Sequence, residues 1–142
     1  MTTLRRVADR PTWLLSRANA RAQGLLAEAF AAAGVRGYHF RLMAALEQLG
    51  PCSQADLGRA TAIDRSDVVA VLDDLDAWGL TRRKPDPADR RRNVVLLTED
   101  GAARLEELDA VLGGVQEAVL EPLSAAERAT LLRLLRRLAP EG

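Results

Sequence analysis

"RRKPDPADRRRNVVLLTEDG", Arg82 to Gly101, places six basic side chains within eleven positions of a 142-residue chain whose formal net charge is zero. Pro85 and Pro87 exclude a helix there, because each lacks an amide donor and crowds the preceding turn. The β-branched run that follows, Asn93 to Leu97, has the composition of a strand, and Leu80 to Lys84 has the length to pair with it. Pro-Asp-Pro-Ala-Asp between them is a loop. Thr98, with Glu99 and Asp100 behind it, is an N-cap followed by the carboxylates that a helix's positive end favours. The stretch therefore predicts a basic β-hairpin that leads straight into a helix.

The hydrophobic period on both sides is helical. Upstream, Leu14, Ala18, Ala22, Leu25, Ala29 and Ala33 recur at spacings of three and four, predicting a helix over Thr12–Ala33 that ends at Gly34. A second runs from about Tyr38 to Leu49, with Phe40, Met43 and Leu46 inward, and stops at Gly50-Pro51. Ser53 and Asp56 form a capping pair for a short third helix, and Asp64 caps a fourth. The fourth carries Val68, Leu72, Leu75 and Gly79 on one face and ends at Gly79. Downstream, Thr98 caps a long helix that Gly113-Gly114 is expected to interrupt. Ser124 and Glu127 make a Ser-x-x-Glu capping box for a last helix that closes near Ala139-Pro140.

Helix, tight turn, helix, basic hairpin is the order of a winged helix-turn-helix. The expected fold is mainly α with a small β-hairpin wing, flanked by N- and C-terminal helices that serve dimerisation. The single domain covers 1–142, with the winged lobe at about 38–98 and the dimerisation helices at about 12–34 and 99–139.

Composition narrows the class. With 48% hydrophobic and 28% charged residues the chain is expected to be globular. No apolar run approaches the roughly 20 residues of a membrane span, and MTTLRRVADRPTW lacks the apolar core of a signal peptide. One cysteine allows no internal disulfide, which suits a cytoplasmic protein. Acidic and basic totals cancel, so only the distribution of charge informs on partners.

Three stretches resemble the MarR family of bacterial transcriptional regulators. "LDDLDAWGLTRRKPDPADRRRNVVLLTEDG" is similar to the family's recognition-helix end, wing and next helix start, including Asp89-x-Arg91 and Leu97-Thr-x-x-Gly101. "CSQADLGRATAIDRSDVVAVLDDL" resembles its helix-turn-helix, and "LSAAERATLLRLLRRL" its C-terminal dimerisation helix. The resemblance implies a two-fold dimer made by the first and last two helices, with double-stranded DNA met by each wing and recognition helix. It makes Arg91 the residue that enters the minor groove and Asp89 its orienting partner. It also implies a small, often aromatic or anionic effector. Independently, Leu105, Leu108, Leu112, Val115 and Val119 keep the spacing of a seam for a partner helix, with Leu131, Leu134, Leu135 and Leu138 as a second stripe.

A charge run is usually a solvated face. Here Arg90, Arg91 and Arg92 follow a hairpin turn, and guanidinium groups suit a narrow minor groove. Arg82, Arg83 and Lys84, on the first strand, are expected to meet phosphates. The recognition helix offers Arg65, Ser66, Asp67 and Ala70 near its start, then Asp73 and Asp74, an acidic departure from the basic or hydroxyl residues that many relatives carry. Asp67 reads first as a helix-start residue; as a base reader its target would be the cytosine N4 donor. Arg65 suits guanine, and Ala70 suits a thymine methyl. Cys52 is expected to be an inert thiol. His39, the sole histidine, has no cysteine beside it, and neither a metal nor a cofactor is expected. Trp13, Arg17, Tyr38, His39 and Phe40 are either an effector pocket or aromatic packing at a helix junction.

No Gly-rich phosphate loop, metal-ligand cluster or nucleophile motif appears, so an enzyme is not expected. The opposing possibility is a winged-helix protein-interaction module with little or no DNA binding, which the acidic recognition helix would suit.

Overall fold

A computed structural model of the chain describes residues 4–140. The outermost residues of the expected 1–142 domain, 1–3 and 141–142, lie outside the described part, as does the start of the segment tested for a signal peptide. The elements are α1 (Pro11–Ala32), α2 (Gly37–Leu49), β1 (Cys52–Ser53), α3 (Gln54–Thr61), α4 (Arg65–Ala77), β2 (Thr81–Pro85), β3 (Asn93–Leu97), α5 (Glu99–Leu120) and α6 (Ala125–Leu138). No helix among the described residues is long and apolar enough to cross a membrane.

The chain divides into two compact units, one of Ala27–Val111 and one of the residues up to Leu26 with those from Leu112 onward. The boundary falls inside α1 and inside α5. The winged lobe expected at about 38–98 lies within the first unit, which also takes in the end of α1 and the first half of α5.

In the winged unit, α2, α3 and α4 surround a core of Leu42, Met43, Leu46, Leu57, Val68, Val71, Leu72 and Leu75, all essentially inaccessible. Val95 of β3 closes it from the sheet side at 0% exposure. The capping box at Ser53 and Asp56 forms as expected, with Asp56 N–H donating to Ser53 Oγ and Ser53 N–H to Asp56 Oδ2. Asp64 stands at the N-cap of α4, but its side chain makes no capping bond; only its carbonyl enters the helix, accepting Val68 N–H at 2.9 Å.

The hairpin has the expected strands, β2 antiparallel to β3 with Thr81 opposite Leu97 and Pro85 opposite Asn93. The sheet itself has three strands, in the order β1-β3-β2. After Gly50, at φ 72°, and Pro51, the chain is extended for two residues, and Cys52 and Ser53 pair with Val95 and Val94 on the open edge of β3.

The Leu97-Thr-x-x-Gly101 motif is a packed junction. Thr98 N–H donates to the Leu80 carbonyl at 3.1 Å, Thr98 Oγ1 donates to the Gly79 carbonyl at 2.7 Å, and Gly101 N–H donates to Thr98 Oγ1 at 3.0 Å. These bonds press the first turn of α5 onto the α4–β2 turn. A Cβ on Gly101 would overlap the Leu80 carbonyl oxygen and lie 2.6 Å from Leu97 Cδ1, so only glycine fits.

In the helical unit, Arg21 of α1 donates to the carbonyls of Ala118 and Val119 at 2.9 and 2.8 Å, satisfying acceptors that the end of α5 leaves open. Arg128 of α6 pairs with Glu117 at 2.7 Å, and Ser124 with Glu127 forms the expected capping box. Gly113 and Gly114 do not interrupt α5, which is helical through both. Each costs about 1 kcal/mol of helix propensity, and the long helix on either side carries that cost. The expected seam is only partly free for a partner: Leu105, Leu108 and Val115 are buried within this chain. Apolar surface is left uncovered on α1, where Leu14 and Leu15 are exposed, and on α6, which has no buried residue.

Candidate nucleic-acid interface

The wing tip is the loop between β2 and β3, residues 86–92. Asp86 starts it as an Asx-turn, its carboxylate accepting Ala88 N–H at 2.9 Å, and its own N–H donates to the Arg92 carbonyl at 2.8 Å. Arg92 N–H donates to the Asp89 carbonyl at 2.9 Å. Asp89 then orients Arg91: its carboxylate accepts the Arg91 amide at 3.1 Å, Nε at 3.2 Å and Nη2 at 3.4 Å. The Arg91 side-chain bonds, and then its backbone bond, hold the Asp89 carboxyl below the usual carboxylate range. An exposed ion pair adds little stability; its effect is on direction. Arg91 remains 91% exposed while its guanidinium is aimed, an arrangement suited to insertion into a groove.

The other expected DNA residues separate into three groups. Arg82, Lys84, Arg90 and Arg92 are exposed and make no ion pair among the described residues. Arg65, Ser66, Asp67 and Ala70 are exposed along the first half of α4, with Asp67 in its first turn. Arg83 is different. It shares the inward face of β2 with buried Thr81, and its guanidinium pairs with Asp73 at 2.7 Å and Asp76 at 3.0 Å. The phosphate role expected of Arg83 is thus opposed by geometry, since both its ion-pair partners lie on the recognition helix.

One cleft of about 620 Å³ brings Arg65 of α4 and Arg92 of the wing together, against Gln54 and Asp56 of α3 and Asn93 of β3. Arg59 also lines it, ion-paired to Asp56 one turn earlier in α3. The sequence marks Arg59 only as a basic residue one turn behind a capped helix start. Three guanidinium groups against the two carboxylates of Asp56 and Asp86 leave the cleft net positive, which suits a phosphate better than a base edge.

Cys52 pairs on the sheet edge, half-buried. Burial, and then the nearby Asp56 carboxylate, push its thiol up, which suppresses the thiolate that would attack peroxide.

The five tentative effector residues are divided between the two units. Trp13 and Arg17 lie in the helical unit, Trp13 half-buried and Arg17 exposed. In the winged unit, Tyr38 is exposed and carries the Arg41 guanidinium 5.2 Å from its ring centroid, while Phe40 stacks on Phe30 at 5.7 Å. His39 is buried, with both ring nitrogens bonded inside the chain: Nδ1 accepts Arg36 N–H at 2.8 Å, and Nε2 meets Asp74 at 2.9 Å. Trp78 covers that ring at 4.8 Å. The His39 ring nitrogens and the Phe40 ring thus have partners within the winged unit.

A family model described as MarR family matches residues 33–92, the stretch from the turn before α2 to the wing tip. The chain is 37% identical to a probable transcriptional regulator from Pseudomonas aeruginosa, with a TM-score of 0.80 over 94% of this chain and 99% of that one. It belongs to the MarR family. Among solved MarR-like structures it also resembles BpsR of Bordetella bronchiseptica, described through regulation of its DNA binding by 6-hydroxynicotinic acid, at 32% identity and a TM-score of 0.78 over 95% of this chain and 96% of that one. It is 39% identical over 99 residues to the transcriptional repressor NicR of Pseudomonas putida, a match covering 70% of this chain and 63% of that repressor. The MarR match takes in α2 through β2 and the wing tip, including the aimed Arg91, and ends just before β3.

Proposed function

We propose that the protein is a homodimeric, sequence-specific, double-stranded-DNA-binding transcriptional repressor, working in the cytoplasm and modulated by a small effector. The observation that carries this is the wing: an arginine held by its own carboxylate partner, yet 91% exposed, among unpaired basic neighbours. That arrangement has no packing role, and it suits a minor groove. The first half of α4 supplies Arg65, Ser66, Asp67 and Ala70 for the major groove, and the cleft of Arg59, Arg65 and Arg92 takes a backbone phosphate. Arg82 and Lys84 add electrostatic contacts. Repression is supported by the likeness to NicR, a repressor, and effector control by the likeness to BpsR, whose DNA binding 6-hydroxynicotinic acid regulates.

Dimerisation is supported by α6 and α1, whose Leu132, Leu134, Leu135, Leu138, Leu14 and Leu15 are 38–69% exposed. A stripe of that kind on a soluble chain calls for a partner, and a second copy gives a closed two-fold assembly. An aromatic acid, the chemistry of BpsR's regulator, suits the exposed Arg17 guanidinium of the helical unit, with Trp13 on the same helix. No catalytic step belongs to this function.

Selection of bound fragments from random duplex DNA tests the whole proposal. The expected product is a near-palindrome with half-sites about 10 bp apart, the spacing a two-fold dimer places on one face of the duplex. Sedimentation at low micromolar concentration is expected to show a dimer. Recovery of no preferred sequence, or a compact monomer, refutes it and favours a protein-interaction module.

A further inference from the structure

The recognition helix carries Asp67 in its first turn and Asp73, Asp74 and Asp76 further along, a poor charge for a helix that approaches phosphates. The structure accounts for the later three. Asp73 and Asp76 bind Arg83 of the wing strand, and Asp74 binds His39 of α2. The second of these contacts has features that ion pairing alone does not explain.

His39 is the third residue of α2, and its side chain is 3% exposed. Its Nδ1 accepts the Arg36 amide at 2.8 Å, so that nitrogen carries no proton and the neutral ring must carry one on Nε2. Nε2–H then donates to Asp74 Oδ2 at 2.9 Å, and the Arg36 guanidinium lies 3.7 Å from the same oxygen. The Trp78 ring, just past the end of α4, closes the site at 4.8 Å. One imidazole is therefore fixed to the α2 cap by one directional bond and joined to the later part of α4 by a second. An apolar side chain would hold two helices together without the desolvation cost of a buried polar group. What a directional bond adds is a fixed rotation of one helix against the other.

That rotation matters for reading bases. A side-chain tip lies about 5–6 Å from its helix axis, so a turn of about 20° moves it by about 2 Å. A hydrogen bond to a base edge tolerates only a few tenths of an ångström beyond about 3.2 Å. We propose that His39 and Asp74 are positioning residues for operator recognition: their bond sets the rotation of α4, and so aims Arg65, Ser66 and Ala70, without touching DNA. This rests on the regulator function proposed above.

The alternative, that Asp74 is merely a surface carboxylate, makes the opposite prediction. Asp74→Ala removes a negative charge beside DNA and favours the helix, so simple electrostatics expects tighter binding to every duplex. The positioning role expects operator affinity to fall roughly tenfold, the loss typical of a hydrogen bond to a charged group, while affinity for an unrelated duplex is unchanged or rises with the lost negative charge. Asp74→Asn keeps the acceptor and His39→Gln keeps both an acceptor and a donor, so both retain most of the operator preference. His39→Leu loses it, and joining His39→Leu to Asp74→Ala costs no more than either alone.

The experiment titrates the wild-type protein and these variants against the selected operator and an unrelated duplex at two salt concentrations, with melting of each protein alone. Should His39→Leu fail to fold, the contrast of Asp74→Ala with Asp74→Asn still decides. Operator binding by Asp74→Ala as tight as wild type, or an Asp74→Asn protein as impaired as Asp74→Ala, overturns the proposal. A wild-type protein that binds both duplexes equally fails differently, because it removes the regulator function itself.

Discussion

Replacing Gly101 with alanine puts a methyl group on the Leu80 carbonyl oxygen, 2.6 Å from Leu97 Cδ1 and 3.1 Å from the Leu80 carbonyl carbon. Leu97 can rotate away, but the Leu80 carbonyl cannot, because it is backbone and accepts Thr98 N–H. Relief requires the first turn of α5 to withdraw from the α4–β2 turn, which strains or breaks the two Thr98 bonds to Leu80 and Gly79. Overpacking costs about 1–3 kcal/mol, and the two bonds add about 1 kcal/mol each. Alanine's helix propensity returns about 1 kcal/mol, leaving a net loss of about 2–4 kcal/mol. For a chain of this size that is a fall of about 10 °C in melting temperature. Gly113→Ala in the same helix is the control: apart from the helix's own backbone, nothing among the described residues lies within 4 Å of its added Cβ, and its φ is not positive. It is expected to gain up to about 1 kcal/mol. Thermal melts by circular dichroism, at matched protein concentration because a dimer's stability depends on it, compare the two. A Gly101→Ala protein that melts at or above wild type refutes the packed junction. Destabilisation at Gly113 would instead place that position against the partner protomer.

Arg91→Ala is expected to weaken operator binding more than Arg90→Ala or Arg92→Ala, and most at A·T-rich flanks, because a groove-inserted arginine senses width and a phosphate-bound one does not. Titrations at two salt concentrations decide, since deleting one phosphate-neutralising side chain lowers the salt slope by about one. Asp89→Ala should act in the same direction more weakly, since it frees the Arg91 guanidinium without deleting it. Cys52→Ser is expected to leave DNA binding unchanged before and after peroxide, because burial raises the thiol pKa; disappearance of a peroxide response in this variant would make Cys52 a sensor. Acid should weaken the helix starts. Hydrogen bonds within the Ser53 and Ser124 capping boxes hold the carboxyls of Asp56 and Glu127 below their ordinary values. Their contribution is therefore present above the unfolded values of about 4 and lost as pH falls through the lower folded ones. An Asp56→Asn/Glu127→Gln double variant, with no proton to take up there, should show a shallower fall in melting temperature below about pH 4 than wild type; an equal slope would place the acid sensitivity elsewhere.

Much of the fold was legible because local chemistry and tertiary packing agree. Ser53 and Ser124 formed the capping boxes their spacing implied, and Thr98 took its place at the start of α5. Strand β1 was not legible. Two residues have no period, and Cys52 and Ser53 are extended only because β3 leaves them an open edge. Asp64 had the right residue type at the right place, yet its side chain does not bond the helix. Gly113-Gly114 showed the reverse, a local helix weakness overridden by the helix around it.

The wing strand shows where a sequence pattern was present but underused. Period two puts Thr81 and Arg83 on one face of β2 and Arg82 and Lys84 on the other. Thr81 is 1% exposed, so Arg83 had to face inward with it, and only Arg82 and Lys84 were left for solvent. A run of three basic residues on a strand is thus two surfaces, one of which needed carboxylates to receive it. Asp73 and Asp76, three apart and so neighbours on α4, are those carboxylates. What looked like an acidic recognition helix is therefore divided by function along its length. The first half faces outward with Arg65, Ser66, Asp67 and Ala70, while the second half uses its carboxylates to hold β2 and α2. Asp67 alone keeps its negative charge on the outward half, so the base preference of this chain turns on whether that carboxylate meets a cytosine amino group or only the helix start. Asp67→Ala separates these: a helix-start role predicts a small drop in melting temperature with operator preference intact, whereas base reading predicts relaxed specificity at one base pair of each half-site, a change of about 1–3 kcal/mol confined to that position.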